Sequence, residues 1–212
     1  MQVITPPPSG GWLQFKLNEE SIKRIDSYIQ KSEEKPTNIN GALAGNISTS
    51  NILEDSEDWF LKNVLYGCVK KYTEVFPPNR EMKVAIDITK TFDVSKFILN
   101  SFWVNYQKQY EFNPIHDHTG LFSFVIWKKM PVEWMDQLDV PNCKYSGSPC
   151  AGNFAFLYND IFGSPQTYQY GISKDLENTM LFFPSSLKHL VNPFYNSEET
   201  RISISGNLSF SI

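Results

Sequence analysis

Along the first third of the chain, apolar positions recur at intervals of three and four residues. In NEESIKRIDSYIQKSEEK, Ile22, Ile25, Tyr28 and Ile29 share one helical face, with glutamates early and lysines late, the charge order that a helix dipole favours. In SEDWFLKNVLYGCVKKYTEVF, Trp59, Phe60, Val64, Leu65, Cys68, Val69 and Tyr72 form a second stripe that must end before Pro77 and Pro78. A polar Gly/Asn-rich connector, residues 36–50, separates the two. From about residue 96 the texture changes to short runs rich in aromatic and β-branched residues: KFILNSFWVNYQ, LFSFVIW, NFAFLY, TYQYGI, TMLFFP, KHLVNPF and RISISGNLSFSI. Clusters of Gly, Pro, Asn and Asp separate them, which predicts about seven strands in a sandwich or jelly roll. The last run alternates, with Arg201, Ser203, Ser205, Asn207 and Ser209 on one side and Ile202, Ile204, Leu208 and Phe210 on the other. One long irregular stretch, residues 128–149, reads equally well as a lid over a site and as a surface insertion.

Composition narrows the class. A chain of 212 residues with 41% hydrophobic content can build one sizeable core. A net charge of −4, with both signs scattered, excludes a basic stripe for a nucleic-acid backbone. No apolar run is long enough to cross a bilayer, and the first residues lack the pattern of a secretory signal, so the expected setting is cytoplasmic, without nucleic acid or membrane as partner. Three cysteines do not describe a disulfide framework. Cys68 reads as core. Cys143 and Cys150 bracket KYSGSP, where a local bridge or shared metal is conceivable and reduced loop thiols are the preferred reading.

All three histidines stand near strands. His116 and His118, in NPIHDHTGLFSF, are two apart and converge on one face of a strand, with Asp117 pointing away. His189 stands in FFPSSLKHLVNPF. If residues 193–199 form the loop of a hairpin, His189 faces Ser203 across the last two strands, and Arg201 is one step away. The blander reading of the polar ladder is a solvated face. Beside a metal, an arginine that forks onto a carboxylate and a serine that adds a donor would instead grip the distal end of a small dicarboxylate.

HDH, FFPSSLKH and RIS, in that order, with Arg201 twelve positions after His189, resemble the 2-oxoglutarate- and Fe(II)-dependent oxygenases. The resemblance spans residues 96–212 and is closest to a branch that carries His-x-His and ends in RISIS. It implies a mostly β fold, a double-stranded β-helix of the cupin-like jelly-roll kind over residues 96–212, with residues 1–95 as helical support. It implies Fe(II) held by His116, His118 and His189, and 2-oxoglutarate bound through its C5 carboxylate by Arg201 and Ser203. Asn105, Tyr106 and Asn207 would complete the cosubstrate pocket. Succinate and CO2 would form as O2 oxidises a substrate C–H bond, in a hydroxylase acting on peptidyl or prolyl residues or on a small molecule. The family normally has a carboxylate where this chain has His118. Three neutral imidazoles leave the ion its full double charge, which favours a dianionic cosubstrate; Asp117 is the alternative ligand if the strand is bulged.

Three other readings compete: a zinc hydrolytic site, which gives Arg201 and Ser203 no task, a three-histidine cupin that does not use 2-oxoglutarate, and a catalytically silent jelly-roll binding module. Trp127, Trp134 and Tyr145 are candidates for a substrate cleft, although such aromatics are more often core.

Overall fold

The computed structural model describes residues 10–78, 82–84 and 92–211. The first helical stripe forms α1 (Glu19–Glu34), started by Asn18, whose side chain accepts from the Ser21 N–H, and it buries Ile25, Tyr28 and Ile29. The second stripe is less regular. A 3-10 turn at Ser56–Asp58 leads to a π-helical segment, Leu61–Leu65, and then to α2 (Tyr66–Val75). Asp55 secures this start by accepting from the Phe60 and Leu61 N–H groups and from the Tyr28 hydroxyl of α1, each at 2.8 Å.

Among the described residues, ten strands make two antiparallel sheets. The larger runs in the order β1 (Leu13–Lys16), β8 (Thr179–Pro184), β5 (Phe122–Lys129), β10 (Arg201–Phe210), β3 (Phe97–Gln107) and β2 (Thr49–Ile52). The smaller runs β4 (Asn113–His116), β9 (Lys188–Val191), β6 (Asn153–Asn159) and β7 (Pro165–Gly171). This is the expected jelly roll. Beyond the seven anticipated strands it adds β1 and β2 from the first third of the chain, and β4, which leads into HDH.

Alternation explains how the layers stack. Phe122, Phe124 and Ile126 of β5, Met180 and Phe182 of β8, and Ile204 and Leu208 of β10 join residues of α1 and α2 in one buried cluster. The intervening Val125, Trp127, Leu181 and Phe183 turn the other way and pack on Phe154, Phe156 and Tyr170 of the smaller sheet. Strand β5 is therefore buried on both faces, which is why it reads as a nearly continuous apolar run. Gly206 has no side chain for a reason of space: a Cβ there would lie 2.7 Å from the Phe124 ring.

One expected pairing does not form. β9 pairs with β4 and β6, whereas β10 pairs with β3 and β5, so His189 and Ser203 stand on different sheets and are not hairpin partners. The connection crosses between the sheets because Phe194 is fully buried and Tyr195 is pinned at both backbone groups by Gln137. An aromatic anchored in a core outweighs the local tendency of PFYNSEE to turn back on itself.

Candidate metal and cosubstrate site

The irregular register of the smaller sheet brings His116 of β4 directly opposite His189 of β9, and His189 opposite Phe156 of β6. His118 stands just past the end of β4, where its backbone N–H donates to the Ser185 carbonyl at 2.9 Å. Ring centroids are 4.3 Å apart for His116 and His189, and 5.0 Å for His118 with either. The ligand atoms of the three imidazoles lie within 4.8 Å of one another. Asp117 turns outward to an ion pair with Lys188 at 2.8 Å.

The surroundings prepare the rings for a cation. His116 Nδ1 is 2.7 Å from the Pro114 carbonyl and His189 Nδ1 is 2.9 Å from the Leu187 carbonyl. A carbonyl can only accept, so Nδ1 carries the proton in both and Nε2 keeps its lone pair. Burial, followed by mutual repulsion, lowers the pKa of His118 to about 4 and that of His189 to about 3. Burial lowers that of His116 as well. All three are neutral at neutral pH, the form that ligates a metal. Phe154 stacks on His189 at 5.6 Å, with Phe183 at 5.0 Å and Phe156 at 6.2 Å, so this ring has an apolar wall on its other sides.

Arg201 begins β10 and is 2% exposed. Its Nη2 donates to the Gly152 carbonyl at 3.1 Å and its Nη1 approaches Gln107 Oε1 at 3.5 Å, while the guanidinium lies over the Phe194 ring at 4.8 Å. Among the described residues Nε has no partner and no carboxylate is paired with the group. A buried cation normally lies beside an anion, because removing a lone charge from water costs several kcal/mol. Burial alone pushes its pKa down, with no acid to offset it. The orphaned Nε and the missing counter-charge fit an anionic ligand, and the three neutral imidazoles fit a divalent cation.

A family model described as "Putative 2OG-Fe(II) oxygenase", 2OG being 2-oxoglutarate, matches residues 101–207, about half of the chain, including all three histidines and Arg201. The chain belongs to the 2OG-Fe(II) oxygenase family. Among solved structures this oxygenase is similar to a Pseudomonas putida prolyl-4-hydroxylase, with 13% identity, a TM-score of 0.54, and 93% of this chain and 92% of that one covered. It is also similar to SnoK, a non-heme alpha ketoglutarate dependent carbocyclase from nogalamycin biosynthesis, with 9% identity, a TM-score of 0.51, and 96% and 81% covered. A comparison with curated proteins gives no match. Family membership brings Fe(II) and 2-oxoglutarate as cofactor and cosubstrate.

The remaining residues anticipated for the oxygenase site separate clearly. Asn105 is buried, accepts from the Ser50 hydroxyl at 2.8 Å, and faces a cleft of about 700 Å³ that opens onto His116 and His118 and is also lined by Trp103 and Asn207. Ser203 stands beside Asn105 and Trp127 in register, two positions along the strand from Arg201. Tyr106 is a correction. It lies on the opposite face of β3, where its hydroxyl donates to Glu33 of α1 at 2.8 Å, because alternation sends it outward when Asn105 points in. Of the aromatic candidates, Trp127 is core, Trp134 covers Gly171, and Tyr145 is solvent-exposed. None of the three lines the cleft.

Residues 128–149 also stand clear of the cleft lining. Their short helix α3 (Trp134–Gln137), together with Val140 and Cys143, packs on Tyr195 at the Arg201 end. Sequence reasoning missed the supports. Asn207 donates to Ser101 and accepts from Ser123 at 2.8 Å each, and Ser123 meets Ser185, whose carbonyl holds His118, at 2.9 Å. Ser123 was visible as a lone hydroxyl inside an apolar run. Gln107, Gly152 and Phe194 carried no such mark.

Proposed function

We propose that His116, His118 and His189 hold the iron of this oxygenase, that Arg201 receives the distal carboxylate of 2-oxoglutarate with Ser203 and Asn105 beside it, and that the protein is a hydroxylase. The observation that carries this reading is a fully buried guanidinium without a counter-ion among the described residues, in the same fold as three neutral imidazoles that converge on one point. With Fe(II), 2-oxoglutarate and O2 bound, the chemistry supplied is oxidation of a substrate C–H bond coupled to decarboxylation to succinate and CO2. The chain's own residues bind and orient. The Pro114 and Leu187 carbonyls fix two imidazoles in one tautomer, Ser185 holds the third by its backbone, and the aromatic wall around His189 keeps water from that side. His118 occupies the position of the family's carboxylate, and Asp117 is spent on Lys188.

Substrate reaches the centre through the cleft lined by Trp103, Asn105, Ser50 and Asn207. Its amides and hydroxyls suit a polar substrate, and a peptidyl or prolyl residue is the class that likeness of fold to a prolyl-4-hydroxylase suggests. Among the described residues no helix is long and apolar enough to cross a membrane; the cytoplasmic setting is part of the proposal.

The test is anaerobic titration of the Fe(II)-loaded protein with 2-oxoglutarate, followed by the visible charge-transfer band of a keto acid on iron. The band is expected in wild type and lost in both His189→Ala and Arg201→Ala. Iron bound without the band would move the assignment to a three-histidine centre that does not use 2-oxoglutarate.

A further inference from the structure

Two cysteines meet at the Arg201 end of the barrel. Cys143 is buried with Val140, Ala151 and Tyr195, and Cys150 is exposed. The N–H of Ala151, the residue directly after Cys150, donates to Cys143 Sγ at 3.3 Å, which places that sulfur alongside Cys150. Burial, and after it the neighbouring Cys143, raise the pKa of the Cys150 thiol. Cys68, by contrast, is buried on α2 in the helix-facing core.

The segment that holds this pair runs directly into the arginine. Gly152 follows Ala151, and its carbonyl accepts from Arg201 Nη2 at 3.1 Å. Its φ of +72° lies in the left-handed region that favours glycine, and a Cβ there would meet Gln137 at 3.0 Å. Its N–H donates to the Pro193 carbonyl, so the peptide is held on both sides. Any movement of Cys150 is therefore passed to the acceptor of Arg201 over two residues.

We propose that Cys143 and Cys150 form a reversible dithiol–disulfide site whose state sets how tightly Arg201 grips its anion. The oxidant is a small-molecule disulfide, RS–SR. The exposed Cys150 sulfur attacks one sulfur of RS–SR and breaks that S–S bond; the mixed disulfide forms, and the released RS⁻ takes up the Cys150 proton. The Cys143 sulfur then attacks the Cys150 sulfur and displaces the second RS⁻, which takes up the Cys143 proton. Two protein thiols are oxidised to one disulfide, and one RS–SR is reduced to two RSH. In the bridged state the Cys143 sulfur turns toward Cys150 and away from the Ala151 N–H, releasing the peptide that leads to Gly152. The coupling to Arg201 rests on the reading of that residue as the cosubstrate anchor; the bridge itself does not.

The experiment treats the reduced full chain with glutathione disulfide under anaerobic conditions at about pH 8.5, near the ordinary thiol pKa, and follows intact mass and the peptide map. The expected product has lost two hydrogens, retains no glutathione, joins Cys143 to Cys150 and leaves Cys68 free. Cys143→Ser should instead retain one glutathione on Cys150. Wild type that keeps glutathione on Cys150 without closing, or that fails to react when the denatured chain does, overturns the site. In the same preparations, oxidised Fe(II)-loaded protein should bind 2-oxoglutarate about tenfold more weakly, as expected for loss of one good hydrogen bond to a charged group. Thiol reductant should restore the affinity, and Cys150→Ser should be indifferent to the treatment. Equal affinity in both states overturns the coupling. Failure of the reduced protein to bind 2-oxoglutarate at all would instead overturn the role of Arg201, leaving the mass result to stand by itself.

Discussion

Arg201, the proposed anchor of the cosubstrate, is costly to the ligand-free fold. Its guanidinium is desolvated with Nε unpartnered, so replacing it with an apolar side chain of similar length removes an uncompensated charge. Arg201→Met is expected to leave the cosubstrate-free protein equally stable or more stable by about 1–4 kcal/mol in urea unfolding, while 2-oxoglutarate no longer raises its melting temperature. Destabilisation comparable to a large cavity would contradict this account. His118 invites the complementary change. His118→Asp introduces the carboxylate usual in the family and cancels half the ion's charge, so 2-oxoglutarate affinity should fall while metal is retained. Metal content measured beside the cosubstrate titration separates the two effects.

At the level of elements, the hydroxyl and amide chain from Ser101 through Asn207 and Ser123 to Ser185 ties β3, β10 and β5 to the turn that holds His118. Asn207→Leu leaves the Ser101 and Ser123 hydroxyls without their amide partner, a cost of about 1–3 kcal/mol. The same variant should bind Co(II) more weakly than wild type, because the backbone anchor of the third imidazole is loosened, and the cobalt absorption spectrum reads this directly. An unchanged spectrum would mean that His118 is positioned by other contacts. The strands were legible in the sequence wherever alternation or a long apolar run marked them, as in β5 and β10, and the two helices by their stripes. His116 and His118 were legible through their two-residue spacing, whereas the hairpin that was to place His189 does not form. Four-residue strands such as β1, β2 and β4 carry too few positions to show a period. The crossing after β9 escaped because Phe194 and Gln137 meet only in three dimensions, and no local pattern records that.

For the molecule as a whole, the three histidines make the metal-free fold sensitive to acid. Their folded-state pKa values are lowered, whereas the unfolded chain takes up these protons near pH 6.5. The contribution to stability is intact above about pH 6.5. It is lost progressively as pH falls through the folded values of about 4 for His118 and about 3 for His189. The lowered value of His118 alone corresponds to a loss on the order of 3 kcal/mol. Urea midpoints of the metal-free protein should fall as pH drops from about 6.5 to about 5, and divalent metal, which binds the neutral rings of the folded state, should raise the midpoints throughout; midpoints independent of pH would show that the imidazoles are solvated.

The place of β10 between β5 and β3 has a consequence for how the molecule comes together. A central strand that pairs on both sides with segments distant in sequence makes closure of the larger sheet a late event with a large loop-entropy cost. Arg201 opens that strand, so the proposed anion site cannot precede the sheet. A partly folded chain can be compact and helical, but it lacks the proposed anchor for 2-oxoglutarate, and cosubstrate binding becomes a report on completed folding.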